Sequence, residues 1–226
     1  MCKSNLIRRA EPELMDLQDE VEVYAKADFA AVNDAFVSRL LELAGAREQA
    51  VSADLGCGPC DIPIRVAGAR PHWRITAVDA SAPMLETARQ AVASAGLAQA
   101  ISLVLADAKG SDLPSAAFDI VFSNSLLHHV SSPARFWDEV RRIAKAGGLV
   151  FVRDLFRPED EEQARRLVAQ HAGSEPALLQ EEFYRSLLSA YTLDEIQTQL
   201  KEAGLAGLSV AQVSDRHMDI FGSIPL

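Results

Sequence analysis

The feature that most constrains this chain is the run Val51-Ser52-Ala53-Asp54-Leu55-Gly56-Cys57-Gly58-Pro59-Cys60. A short apolar stretch ends on an acid, turns through two glycines, and enters a helical pattern at Asp61-Ile62-Pro63-Ile64-Arg65-Val66-Ala67. Glycine is needed where φ is positive or where a Cβ would strike a closely approaching ligand. The helix that follows turns its N-terminal N–H groups and the positive end of its dipole toward the same turn. A first strand handing over to a ligand-facing loop is therefore expected here.

The chain downstream repeats the unit. Strands are predicted at Arg74–Asp79, Ile101–Leu105, Phe118–Phe122 and Leu149–Val152, with helical patterns between them. Ser81 is placed to cap the helix after the second strand, which Gly96 ends. Pro133 opens the helix before the fifth strand, and Gly147-Gly148 is expected to close it. Five strand–helix alternations in about a hundred residues imply a doubly wound parallel sheet. Ligands in such sheets sit beyond the carboxyl ends of the strands, at the switch point. Asp79 ends the second strand about twenty residues past the glycine turn, where an acid can accept hydrogen bonds from a ribose diol.

Asp54-Leu55-Gly56-Cys57-Gly58 resembles the first motif, D/E-x-G-x-G-x-G, of the class I S-adenosylmethionine-dependent methyltransferases, with Cys60 in place of the third glycine. Lys145-Ala146-Gly147-Gly148 stands where that family has K-P-G-G. The resemblance covers residues 50–155 and implies S-adenosyl-L-methionine as cofactor and S-adenosyl-L-homocysteine as product. It implies cofactor contacts from Asp54, Gly56, Gly58, Asp79, Ala80, Met84 and Asn124. It also implies Asp107 on the adenine amino group with Ala108 beside the ring, although Asp112 and Asp119 are further acids nearby. His128 follows strand four where the family approaches the transferred methyl, and Asp154 ends strand five at the crevice rim. These two are the candidates for proton removal or substrate orientation. His128 and His129, being adjacent, are expected to point in different directions, with one of them structural.

The flanks differ in character. Residues 1–18 are polar and expected to be loosely held. From Asp19 to about Leu43 apolar residues recur at helical spacing, and Tyr24 is the candidate for a lid over the cofactor or, equally, for packing. Helices are predicted at Glu159–His171, Glu175–Ser189 and Leu193–Ala203, the last capped by Thr192. Strands at Leu208–Val213 and Arg216–Phe221 would close the sheet as an antiparallel hairpin. The fold class expected is thus α/β: a Rossmann-like, seven-stranded, mostly parallel sheet with helices on both faces. It forms one domain over 1–226, with N-terminal helices (1–45), a cofactor core (50–155), a helical substrate cap (156–205) and the hairpin (206–226). Arg153 and Arg157 would hold a substrate carboxylate, or else carry surface charge.

The remaining expectations concern partners. With 22 Lys+Arg against 32 Asp+Glu, the net charge of -10 repels phosphate backbones, so a nucleic-acid partner is not expected. The position after strand four reads Asn124-Ser125-Leu126-Leu127, without the N/D-P-P-Y/W turn of enzymes that methylate base amines or glutamine. A small-molecule acceptor is expected instead, with a homodimer allowed. No leader or membrane-length segment is read, so the expected location is cytoplasmic. No ligand-spaced cluster appears, and no metal is expected. Cys57-Gly58-Pro59-Cys60 matches a thioredoxin-like redox motif, but it interrupts a cofactor turn; oxidation of the pair, or a thiophilic metal on it, would distort that turn. Two rivals remain. A nicotinamide oxidoreductase needs G-x-G-x-x-G, which Asp61 breaks; a non-catalytic adenosine-binding subunit would keep the crevice.

Overall fold

The computed structural model describes residues 6–12, 21, 23, 24 and 27–225. The first helix, α1, spans Ala30–Ala44; the remainder of the helical pattern expected from Asp19 falls largely outside the described residues. Strand β1 (Val51–Leu55) leads into α2 (Asp61–Ala69), β2 (Arg74–Asp79) into α3 (Ala82–Ser94), and β3 (Ile101–Leu105) directly into β4 (Phe118–Asn124). Then come α4 (Pro133–Ile143), β5 (Ala144–Leu155), α5 (Glu161–Ala172), α6 (Ala177–Ser189), α7 (Leu193–Glu202), β6 (Ser209–Gln212) and β7 (His217–Ser223).

The seven strands form one sheet in the order β3-β2-β1-β4-β5-β7-β6. Pairings among β1 to β5 are parallel, and β7 runs antiparallel to both β5 and β6. The chain reverses its direction of travel across the sheet between β1 and β4, so the switch point lies beside the glycine turn.

Alternation along the central strands divides the core in two. Ile120, Phe122, Leu149 and Phe151 face one side with Phe36, Leu40, Val66 and Trp73 from α1, α2 and the turn before β2. Val121, Val150 and Val152 face the other, against Phe136, Trp137 and Val140 of α4 and Ile196 and Leu200 of α7. A third, smaller core joins Leu155 to Ala164, Leu167, Leu187 and Leu188 of the α5–α6 pair, with Leu6 of the N-terminal segment packed on it.

Two local expectations are corrected. Strand β5 begins at Ala144, so Lys145-Ala146-Gly147-Gly148 extends the strand rather than closing a helix. Its backbone is already committed there: Ala144 pairs with Phe118, and the Gly147 N–H donates to the Ile224 carbonyl at 2.9 Å. Residues 6–12 are also held. Arg8 donates to the Ser189 and His128 carbonyls at 2.5 and 2.8 Å. Its guanidinium also stacks 4.2 Å from the centre of the Tyr191 ring.

Candidate active site

The carboxyl ends of the strands are tied together by backbone hydrogen bonds. Gly56 and Cys57 N–H donate to the Val78 carbonyl at 2.8 and 2.9 Å, and Ala106 N–H to the Asp79 carbonyl at 3.0 Å. Ser125 N–H reaches the Arg153 carbonyl at 2.9 Å. The fold thus brings the glycine turn, Asp79, the Asp107 loop, the end of β4 and the end of β5 to one rim.

Within this rim the glycines meet a steric need. Gly56 has φ +79° and Gly58 φ +50°. A Cβ on Gly56 would lie 2.7 Å from Leu126 Cδ1, whereas one on Gly58 would meet nothing within 4 Å. The Asp79 carboxylate organises the turn. It accepts from Gly58 N–H at 2.8 Å through one oxygen and from Ser81 N–H at 2.9 Å through the other. Ser81 in turn caps α3 by accepting from Met84 N–H at 3.3 Å. The loop amide that Asp54 was a candidate to bind is therefore held by Asp79 instead. Asp54 itself is buried, and burial followed by repulsion from Asp79 raises its carboxyl well above the usual carboxylate range.

The adenine side is less enclosed. Met84 and Ala108 are buried, while Ala80 is half-buried beside Asp79. The Asp107 side chain is half exposed, accepts from Lys109 N–H at 2.8 Å and pairs with Lys109 Nζ at 3.0 Å. Asp119, one of the alternatives, sits at the opposite end of the sheet. It accepts there from Val51 N–H and Lys145 Nζ at 2.9 and 2.7 Å. Tyr24 stacks near Phe29, ring centres 5.0 Å apart. Burial and the charges of Asp79 and Glu182 push its phenol up to about 12. Those influences place it between the end of β2 and α6, over the rim.

Beyond β4, half-buried Asn124 is followed by a tight turn in which His129 N–H donates to the Leu126 carbonyl at 3.0 Å. In a turn, successive side chains are not thrown to opposite faces, and the two histidine rings converge with centres 4.1 Å apart. The expectation that they diverge is corrected on this ground. His128 Nδ1 and Asp154 Oδ1 lie 2.6 Å apart, both residues buried. Burial alone would lower the imidazole, but the Asp154 charge outweighs it and raises His128; the same pairing holds Asp154 low against its own burial. Asp154 also accepts from Leu127 N–H at 2.5 Å and Leu155 N–H at 2.7 Å. So occupied, it positions His128 and is not free to take a proton from an acceptor.

The arginines are committed elsewhere. Arg153 makes two hydrogen bonds, at 2.6 and 2.9 Å, to fully buried Asp219, its cross-strand partner. Arg157 is buried and donates to the Ala190 carbonyl at 3.0 Å and to Glu195 at 2.6 Å. Neither is surface charge, and neither offers its charge to a carboxylate ligand. Cys57 and Cys60 are both buried and free. A hydrogen bond between the thiols, then burial and the nearby acids, raises Cys57 well above the ordinary thiol range. That is opposite to the activated thiol of a redox C-x-x-C site. Glu11 was missed by sequence reasoning. It accepts from Ser186 and Ser189 hydroxyls at 3.1 and 2.9 Å and faces both histidines.

Residues 53–152, which carry the glycine turn and the strand ends just described, match the family model described as "Methyltransferase domain". The chain carries a class I, S-adenosylmethionine-dependent methyltransferase domain. Over 162 residues it is 29% identical to 27-O-demethylrifamycin SV methyltransferase of Amycolatopsis mediterranei, a match covering 71% of this chain and 56% of that protein. It is 37% identical over 97 residues to an uncharacterized methyltransferase of Mycobacterium tuberculosis, covering 43% of each. The chain thus spans only about half the length of these curated relatives. Among solved structures, a SAM-dependent methyltransferase from Aquifex aeolicus superposes with TM-score 0.68 at 17% identity, covering 93% of this chain and 100% of the other. Phosphoethanolamine N-methyltransferase 2 of Haemonchus contortus, in complex with S-adenosyl-L-methionine, gives 0.71 at 14% identity, covering 92% and 57%. These likenesses are of fold.

The methyltransferase turn fits its cofactor on local grounds. Its glycines leave the backbone uncovered, and Asp79 keeps lone pairs beyond the two used by backbone amides, since each carboxylate oxygen offers two. Among the described residues no helix is long and apolar enough to cross a membrane.

Proposed function

We propose that this protein transfers the methyl group of S-adenosyl-L-methionine to a small-molecule acceptor in the cytoplasm. The observation that carries the reading is the Asp79 carboxylate, which holds Gly58 N–H and Ser81 N–H and so presents its remaining lone pairs at the glycine turn. Gly56, Gly58 and Asp79 would hold the sugar and amino-acid portions, Asp54 lying beneath them. Met84, Ala80 and Ala108 would line the ring, with Asp107 toward its amino group. When bound, the cofactor supplies a methyl on an activated sulfonium leaving group.

What remains for the chain is alignment and exclusion of water. Tyr24 is placed to cover the rim, and Asn124 ends β4 at the same edge. His128, fixed by Asp154, is the group placed to accept a proton from an oxygen or nitrogen acceptor; Asp154 acts through it. Relatives named for a rifamycin, for trans-aconitate and for a malonyl-acyl carrier protein support an acceptor other than nucleic acid. The net charge of -10 supports the same conclusion.

Calorimetric titration of the reduced protein with S-adenosylmethionine, S-adenosylhomocysteine and NADH tests this. Saturable binding of the first two is expected. Asp79→Ala should weaken it at least tenfold, since one hydrogen bond to a charged group contributes about 1.5–3 kcal/mol. Binding of NADH alone would refute the reading.

A further inference from the structure

The N-terminal segment and the turn after β4 gather three metal-ligating side chains apart from the glycine turn. Glu11 Oε1 lies 3.1 Å from His129 Nδ1 and 3.7 Å from His128 Nε2. One ligand atom from each residue falls within 4.8 Å of the other two. A tetrahedral zinc ion with nitrogen and oxygen ligands at about 2.0 Å requires ligand–ligand edges of about 3.3 Å. The cluster is close to that size as it stands.

The surroundings also favour a cation. Asp154 at 2.6 Å from His128 Nδ1 takes the proton of that nitrogen and leaves the Nε2 lone pair directed away from it. This carboxylate–histidine arrangement orients metal-bound imidazoles. His129 Nδ1 is buried and has no hydrogen-bond partner, while its ring hydrogen-bonds the Pro12 carbonyl. A ring nitrogen facing a carbonyl carries the proton, so Nδ1 presents a bare lone pair to a carboxylate oxygen 3.1 Å away. Two lone-pair atoms at that separation call for a positive centre between them.

We propose that Glu11, His128 and His129 bind one divalent transition-metal ion, zinc being the best chemical match. Two histidines and a carboxylate leave a fourth position for water or for an acceptor oxygen. The ion would also fasten residues 6–12 to the turn after β4. With His128 Nε2 as a ligand, His128 is no longer a base, so the ion and that assignment exclude one another. Cofactor binding at the glycine turn does not depend on which holds.

The test is titration of chelator-treated, reduced protein with Zn²⁺ by calorimetry and with Co²⁺ by visible absorption. One equivalent is expected, with the absorption of a low-symmetry nitrogen–oxygen site. Glu11→Gln, which preserves the bonds from Ser186 and Ser189, and His129→Ala should each weaken binding at least about tenfold, as should Asp154→Asn by loosening His128. Circular dichroism and an S-adenosylmethionine titration of each variant report folding and the cofactor site separately. Cys57→Ser/Cys60→Ser should keep the ion. No stoichiometric binding, binding unchanged in both Glu11→Gln and His129→Ala, or loss only in the cysteine variant would overturn the proposal. Failure of the wild type to bind S-adenosylmethionine would refute the methyl-transfer reading and leave the zinc result standing.

Discussion

Gly56→Ala separates two physical reasons for glycine at one position. The first is backbone conformation: φ is +79°, and an L-residue held there costs roughly 1–2 kcal/mol. The second is space. The new Cβ would lie 2.7, 2.9 and 3.0 Å from Leu126 Cδ1, Cδ2 and Cγ, so the leucine must leave its rotamer at roughly 0.5–1.5 kcal/mol. The sum, roughly 1.5–3.5 kcal/mol, corresponds to about 3–14 °C in Tm for a chain of this size. Urea unfolding of the cofactor-free protein measures it. In a Leu126→Ala background the clash disappears and only the backbone part should remain, so Gly56→Ala should cost roughly 0.5–1.5 kcal/mol less there. Gly58→Ala, with φ +50° and nothing within 4 Å of its Cβ, should show no dependence on Leu126. Equal costs of Gly56→Ala in both backgrounds, or no cost in either, would refute the reasoning.

Asp54 predicts a pH dependence. Its carboxyl is raised above 3.8 in the native chain, so between that value and its raised one the folded state binds more protons than the unfolded. Stability should therefore fall as pH rises through the window, and Asp54→Asn should remove the fall; parallel urea-midpoint curves from acid to neutral pH would contradict this. Arg153→Ala leaves Asp219 buried without its two-bond partner and should destabilise by about 3–5 kcal/mol, read from the same unfolding experiment. Thr192→Ala breaks a capping box, in which Thr192 accepts from Glu195 N–H and Glu195 from Thr192 N–H. About 1 kcal/mol is expected, checked by thermal melting.

Legibility followed the distance over which each residue's role is decided. The turn at Gly56 and Gly58, the acid closing β2 and the alternation of Ile120, Val121 and Phe122 are local patterns, and the sheet could be read from them. The fates of the arginines could not. Arg153 and Arg157 look alike at the end of a strand, and their partners lie 66 and 38 residues away. The glycine pair before Leu149 signalled a helix end, but tertiary pairing to Phe118 and Ile224 made it strand. Glu11 gave no signal at all, because its role depends on Arg8 docking against Ser189 and Tyr191.

The two halves of the site are stabilised by different cores, and this bears on how acceptor choice can vary. The cofactor half is fixed by the two main cores and by Asp79, which bridges the glycine turn to the start of α3 within the folded chain itself. Its ordering cost is met on folding, so little binding energy is needed to organise it. The other half is built from residues 6–12 and the α5–α6 pair, whose small core of Leu155, Leu167, Leu187 and Leu188 is separate from the sheet faces. Substitutions there change the wall of the crevice without disturbing β1, β2 or their helices. A pocket of this kind can change its acceptor while the strand–turn–helix that meets the cofactor stays as it is.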